Sequence, residues 1–104
     1  MALRQLSTEE RAEARAKAVQ ARQERAALKA AFSAGELSLA AVLDRADEDP
    51  AIGRLRTVDL LQALPGVGQV RATAMMAACE ISPARRLKGL GRRQREALIA
   101  YIGR

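Results

Sequence analysis

Apolar positions in this chain recur at helical spacing and nowhere alternate with the period of a strand. From Ser7 to Phe32 charged residues and alanines intermix without a break, and only Val19, Leu28 and Phe32 carry bulk. Ser7-Thr8-Glu9-Glu10 has the form of a capping box, in which Glu10 reaches back three residues to the cap. Gly35 is a natural stop. The predicted helix has about 25 residues and, at about 1.5 Å each, a length of roughly 38 Å. So little bulk predicts that its first half projects, with Leu28 and Phe32 docking its end.

Shorter elements follow. Ser38 caps a helix from Leu39 to about Ala46, whose Leu39, Val42 and Leu43 make an i, i+3, i+4 apolar face. Pro50 opens a short helical turn toward Leu55. Thr57 is read as the cap of a helix reaching Ala63, and a further helix spans Gln69 to Cys79, with Val70, Ala74, Ala77 and Ile81 on its core face and Met75 and Met76 as packing. Ser82 and Pro83 signal one more helical turn ending near Gly89. A last helix, Arg92 to Ile102, is buried by Leu98, Ile99 and Ile102. The fold class is all-α: a long N-terminal helix within residues 1–35 precedes a helical core at residues 36–104.

Composition narrows the chemistry. The 104 residues are 49% hydrophobic, yet there is one Phe, one Tyr and no Trp, so the core must be aliphatic. Histidine is absent and Cys79 is the single cysteine, which leaves no zinc set and no disulfide framework. The acidic run Asp44, Asp47, Glu48 and Asp49 lacks the glycine-bearing pattern of a calcium loop and reads as solvated surface. No metal, cofactor or catalytic set is expected. No signal peptide or membrane span is legible, and a soluble cytoplasmic protein is the expectation.

Charge changes the picture more. The net charge is +6, unevenly spread: residues 1–51 hold 8 basic and 9 acidic residues, net −1, and residues 52–104 hold 10 and 3, net +7. So concentrated a positive field suits a polyanion, and nucleic acid better than a membrane, because no basic amphipathic helix with bulky apolar anchors is present.

Within the basic half lies Leu64-Pro-Gly-Val-Gly-Gln-Val-Arg-Ala72, set between two helical stretches. Pro65 ends the first, since the residue before a proline is pushed out of the α region. Gly66 and Gly68 are read as positive-φ turn residues that also let another backbone approach closely. The next helix opens with unpaired N–H groups at the positive end of its dipole, a setting for phosphate with Gln69 and Arg71 beside it. A Pro-Gly-x-Gly turn is often only a turn, but here its flanks are helical and its surroundings basic. The spacing resembles the hairpin of helix-hairpin-helix and helix-two-turn-helix nucleic-acid-binding proteins.

Two further cationic groups stand out. On a wheel of about 100° per residue, Arg11, Arg15, Arg22, Arg25 and Lys29 share a sector about 80° wide, from which Glu9, Glu10, Glu13 and Glu24 are excluded. Ion pairing along a solvated helix would mix the signs; their segregation suits a phosphate backbone. Arg85, Arg86 and Lys88 form a compact group beside Gly89 and Gly91.

With these residues in view, the chain resembles the actinobacterial, mycobacterial-type integration host factors, nucleoid proteins unrelated in fold to the heterodimeric factor of enteric bacteria. The resemblance covers most of the chain. It includes the long alanine-rich helix, Ala51-Ile52-Gly53-Arg54-Leu55-Arg56, the hairpin, and Arg85-Arg86-Leu87-Lys88-Gly89-Leu90-Gly91. It implies a helix-two-turn-helix protein that binds double-stranded DNA with little sequence preference, bends it, affects supercoiling, organises the nucleoid and supports recombination or integration. On this chain the family's hairpin contact falls on Gly66, Val67, Gly68, Gln69 and Arg71, and its arginine cluster on Arg85, Arg86 and Lys88. Gln69 stands where relatives often carry lysine, and Lys88 where arginine is common. The free protein is expected to be a monomer acting on no small molecule. The alternatives are an RNA- or ribosome-associated protein with an S13-like hairpin, a DNA-glycosylase fragment, for which no nucleophile in context is present, and a plain helical interaction module.

Overall fold

A computed structural model describes residues 7–103. Six α-helices follow in order: α1 (Thr8–Ser33), α2 (Leu39–Glu48), α3 (Pro50–Gly53), α4 (Thr57–Leu61), α5 (Gln69–Ala78) and α6 (Arg92–Ile102), with a 3-10 turn over Leu87–Gly89. Among the described residues there is no strand, only an isolated antiparallel bridge between Arg56 and Arg86.

The ends of α1 follow the sequence closely. Ser7 Oγ accepts the Glu10 N–H at 3.1 Å, and Glu10 Oε1 accepts the Ser7 N–H at 3.3 Å, so the capping box is closed in both directions. At the other end Gly35 takes φ +79°, the Gly35 N–H reaches Phe32 O at 3.2 Å, and the Glu36 N–H reaches Ala31 O at 2.9 Å. This is Schellman closure, which needs a residue at ease in the left-handed region. Residues 11–20 are exposed throughout, whereas Leu28 and Phe32 are buried. The helix is therefore an arm held by its last turns. Its projection explains a radius of gyration of 16.0 Å and a long axis of 48 Å, against about 13 Å for the radius of a compact domain of about 100 residues.

Beneath the arm, α2 is the hub, touching α1, α3, the 3-10 turn and α6, while α5 packs on α4 and α6. Leu39, Val42, Leu43 and Ala46 bury one face of α2 and share one apolar cluster with Phe32, Ile52, Leu60, Met76, Leu87 and Leu98. Ser38 Oγ caps α2 on the Ala41 N–H at 3.1 Å, and Asp49 Oδ1 caps α3 on the Ala51 N–H at 2.9 Å. Across the hub, Arg95 of α6 grips Asp47 of α2 through two bonds of 2.8 Å.

Four local expectations give way. Thr57 does not cap α4: Arg56 is the cap residue, and Thr57 lies inside with its hydroxyl buried and unpartnered. Its N–H is spent on Arg85 O, a tertiary bond that draws residue 57 inward. Ser82 and Pro83 open no helix: the Arg85 N–H closes a turn on Ser82 O at 3.0 Å, and the chain then runs extended through Arg86. Pairing with residues 55–57 outweighs the local helix signal there. On α5, Val70 is 86% exposed and Ala74 and Ala77 are exposed, while Ala72, Met75, Met76 and Cys79 face the core. Both sets have helical spacing; the two methionines and Cys79 offer more apolar area than two alanines, and Ala72 lets the backbone approach. Finally, Gly68 has φ −92°, so only Gly66 of the two hairpin glycines is left-handed.

Candidate nucleic-acid interface

The hairpin is built from its own sequence. After α4, Ala63 and Leu64 donate to Leu60 O and Leu61 O, winding down the helix, and Leu64 is buried. The Val67 N–H then returns to Leu64 O at 3.1 Å across Pro65 and Gly66, the latter at φ +76°. Proline at the second position and a left-handed glycine at the third define a type II turn. Gly68 follows in extended conformation as the cap of α5, without a side chain to bond the helix's first turn.

The first bond of α5 runs from the Ala72 N–H to Gly68 O at 2.9 Å, so the N–H groups of Gln69, Val70 and Arg71 precede the helical ladder. Gly66, Gly68, Gln69 and Arg71 are exposed, and Val67 is half-buried against the core. A Cβ built on Gly68 would meet nothing within 4 Å, so neither its φ nor its neighbours demand glycine there. An uncovered backbone is what remains for it to provide. Beside the turn, Leu64, Pro65, Val67, Arg71 and Tyr101 line an open hollow of about 320 Å³.

The arginine cluster lies on the crossover between α5 and α6. Leu87 and Leu90 are buried and fix that crossover, and the Leu87 N–H to Leu55 O bond of 2.9 Å ties it to the α3–α4 link. Arg85, Arg86 and Lys88 are all exposed. Arg85 folds over the turn, with Nη1 3.4 Å from Gly89 O, and Arg86 Nη1 donates to Arg54 O across the bridge. Lys88 sits over Gly53 and within the field of Asp47, whose carboxyl is held below the usual range first by its bonds to Arg95 and also by the charges of Arg95 and Lys88.

Of the predicted stripe on α1, Arg11, Arg15 and Arg22 stand on the exposed arm, while Arg25 and Lys29 are half-buried near its root. Arg25 comes together with Arg86 in an open hollow of about 350 Å³ that Arg54, Arg56 and Asp59 also line. The hairpin residues line none of this hollow. The sequence-predicted residues thus separate into a turn with its uncapped helix, an arginine crossover joined to the root of α1, and the outer arm.

Arg54 and Arg56 enter the sequence reading only within the Ala51–Arg56 stretch of the family resemblance, not among the expected contacts. In the structure α3 ends at Gly53, and Leu55 is buried between two exposed arginines. The alternation Arg-Leu-Arg was the available signal.

Comparison with known proteins agrees with this architecture. The S13-like H2TH domain family matches residues 32–102. The integration host factor of Mycobacterium tuberculosis is 48% identical over 103 residues, covering 99% of this chain and 98% of that protein. The integration host factor of Streptomyces coelicolor is 43% identical over 103 residues, covering 99% and 96%. Among solved structures, one of sIHF bound to an 8-base-pair palindromic DNA superposes with a TM-score of 0.77 at 40% identity, covering 81% of this chain and 94% of that one.

Proposed function

Because the chain belongs to the actinobacterial integration host factor family, with its S13-like H2TH domain, we propose that it binds double-stranded DNA largely without regard to sequence, bends it, and organises the nucleoid. Effects on supercoiling and support of recombination or integration follow from a protein that reshapes duplex. The observation that carries this reading is the type II turn of Leu64–Val67 delivering an uncapped α5 start, with Gln69 and Arg71 exposed on it.

Chemically, the N–H groups at the head of α5 suit one phosphate, through hydrogen bonds and the helix dipole. Arg85, Arg86 and Lys88 suit others, and Arg11, Arg15, Arg22, Arg25 and Lys29 extend the same field along the arm. Such contacts position a duplex without reading it. Bending follows where cations on two faces of the protein draw one duplex around it, the deformation energy being recovered in added contacts. In this reading residues 36–104 are the binding core and residues 1–35 the arm, the free protein is a monomer, its role is structural, not catalytic, and it works in the cytoplasm on the nucleoid.

The test is titration of a labelled duplex of 20 to 30 base pairs across a salt series, with unrelated DNA and RNA duplexes as competitors. With about five phosphates neutralised, log affinity should fall against log salt with a slope of about −4.5, roughly 500-fold for a fourfold rise in salt. Equal competition by any DNA and weaker competition by RNA is the expected result. Preferential competition by duplex RNA would move the assignment to an S13-like RNA-binding role, and absence of binding at moderate salt would leave only an interaction module. End-to-end energy transfer on the same duplex reads the bend directly.

A further inference from the structure

The hollow that Arg25, Arg54, Arg56 and Arg86 share does not stand alone. A second hollow, of about 470 Å³, shares Arg54 and Arg86 with it and has Gly53, Lys88 and Gly89 in its wall. Both hollows are lined by the same two arginines. The bridge between Arg56 and Arg86, with its flanking bonds of 3.1 and 2.9 Å, fixes the two backbones that carry the cluster. Arg86 Nη1 donates to Arg54 O, which joins the two residues that both hollows share.

Among the described residues none of the four guanidiniums is in an ion pair, although Asp59 lines the first hollow. Two arginines outside the cluster are paired: Arg95 holds Asp47, and Arg92 holds Glu96 at 3.2 Å. Four unpaired like charges around one concavity repel one another over distances that salt screens only beyond a Debye length of about 10 Å at 0.1 M. An anion relieves that repulsion. Guanidinium groups bind phosphate oxygens in bidentate fashion, and arginine is the side chain best shaped for it.

We propose that these two hollows are a track for successive backbone phosphates of one DNA strand, with Arg56 and Arg25 at one end, Arg54 and Arg86 shared in the middle, and Lys88 at the other. The track rests on the DNA-binding reading above and adds Arg54 and Arg56 to it. It also gives the root of α1 a part in binding, because Arg25 is the arm's contribution to the seat. Free phosphate would occupy one hollow; only a chain of phosphates uses both.

The test replaces Arg54 and Arg56 together with glutamine, beside an Arg54→Lys/Arg56→Lys variant that keeps the charge, and repeats the salt series on one duplex from 50 to 200 mM. Loss of two phosphate contacts should make the slope shallower by about 1.8, so that the weakening over this range is about 12-fold smaller than in the wild-type protein. The lysine variant should keep the wild-type slope. A wild-type protein that binds, alongside a glutamine variant of equal helix content with the same affinity and slope, would overturn the track and leave the general reading standing. A wild-type protein that does not bind overturns that general reading instead. The unmodified protein supplies a second readout: arginine labelling with phenylglyoxal, read by mass spectrometry, should be suppressed at Arg54 and Arg56 by duplex. Equal labelling with and without duplex would refute the proposal whatever the fate of the variants.

Discussion

Gly53 and Lys88 pack so closely that a Cβ at position 53 would lie 3.2 Å from Lys88 Cβ and 2.6 Å from the carbonyl oxygen of Ala46. The second contact is to helix backbone and cannot be relieved by turning a side chain. Gly53→Ala therefore pushes α3 away from both α2 and the crossover that carries Arg86 and Lys88. Overpacking of this kind costs about 1–3 kcal/mol, and thermal unfolding should show it as a clearly lowered midpoint. The same displacement disturbs the cationic crossover, so duplex affinity should fall as well. An unchanged midpoint would mean that α3 moves freely, contrary to its packing.

Glu80 offers a change of the opposite sign. It holds φ +58°, and the bonds from the Glu80 N–H to Ala77 O at 3.1 Å and from the Ile81 N–H to Met76 O at 2.9 Å close α5 as Gly35 closes α1. A side chain in the left-handed region is strained, and a carboxylate faces the negative end of the helix dipole. Glu80→Gly relieves both, against the added freedom of glycine in the unfolded chain, for a net gain of about 0.5–1 kcal/mol. Gln94 Nε2 bonds the Glu80 carbonyl at 3.1 Å and is untouched by the change. A lowered melting temperature would refute the account.

Comparing Gly35 with Glu80 shows what the sequence disclosed. Where local chemistry and tertiary structure agree, as at Ser7, Glu10, Gly35, Ser38 and the Leu64–Val67 turn, the pattern could be read directly, and the all-α fold with its projecting arm followed from it. Thr57, Ser82 and Arg86 were not legible, because pairing between residues 55–57 and 85–87, some thirty positions apart, overrides their local preferences. Val70 misled for another reason: a helix of small residues has two faces of helical period, and only the partner decides which is covered. The site divided likewise. Its turn was visible as a motif, whereas the meeting of Arg25, Arg54, Arg56 and Arg86 exists only once the crossover is placed.

Asp47 should make stability depend on acid. Its carboxyl is held below the usual range, chiefly by the bonds from Arg95. A group whose pKa is depressed on folding contributes stability that is present above its unfolded value, about 3.9, and is lost as pH falls through the folded value. The melting temperature should therefore fall as pH is lowered below about 4. Asp47→Asn should flatten that acid limb while leaving the arginine without its counter-charge. Glu24 works in the other direction, since its carboxyl is pushed up, first by its side-chain hydrogen bond to Asp49 and then by desolvation and that neighbour's charge. Glu24→Gln should accordingly leave the Asp47 loss in place, and the two variants measured side by side separate the contributions. An acid limb identical in Asp47→Asn and wild type would show that the Arg95 bond is not its source.

Replacing Arg85 and Arg86 with alanine tests the crossover as a phosphate contact. Both side chains are exposed, so the fold is expected to persist, although Arg86→Ala gives up the bond to Arg54 O. If each arginine neutralises one phosphate, the salt slope should become shallower by about 1.8. Affinity should drop by a similar factor on every duplex, because phosphate contacts carry no sequence information. A loss confined to some sequences would mean that the arginines reach base edges, where a bidentate contact discriminates by about 1–3 kcal/mol. Undiminished affinity on all duplexes, with circular dichroism unchanged, would remove Arg85 and Arg86 from the interface and leave binding to the hairpin and the arm. Comparing this variant with the Arg54 and Arg56 pair then shows which of the two bridged segments carries the contact: equal reductions in slope place phosphates on both, and a reduction in only one of the two places them on that segment.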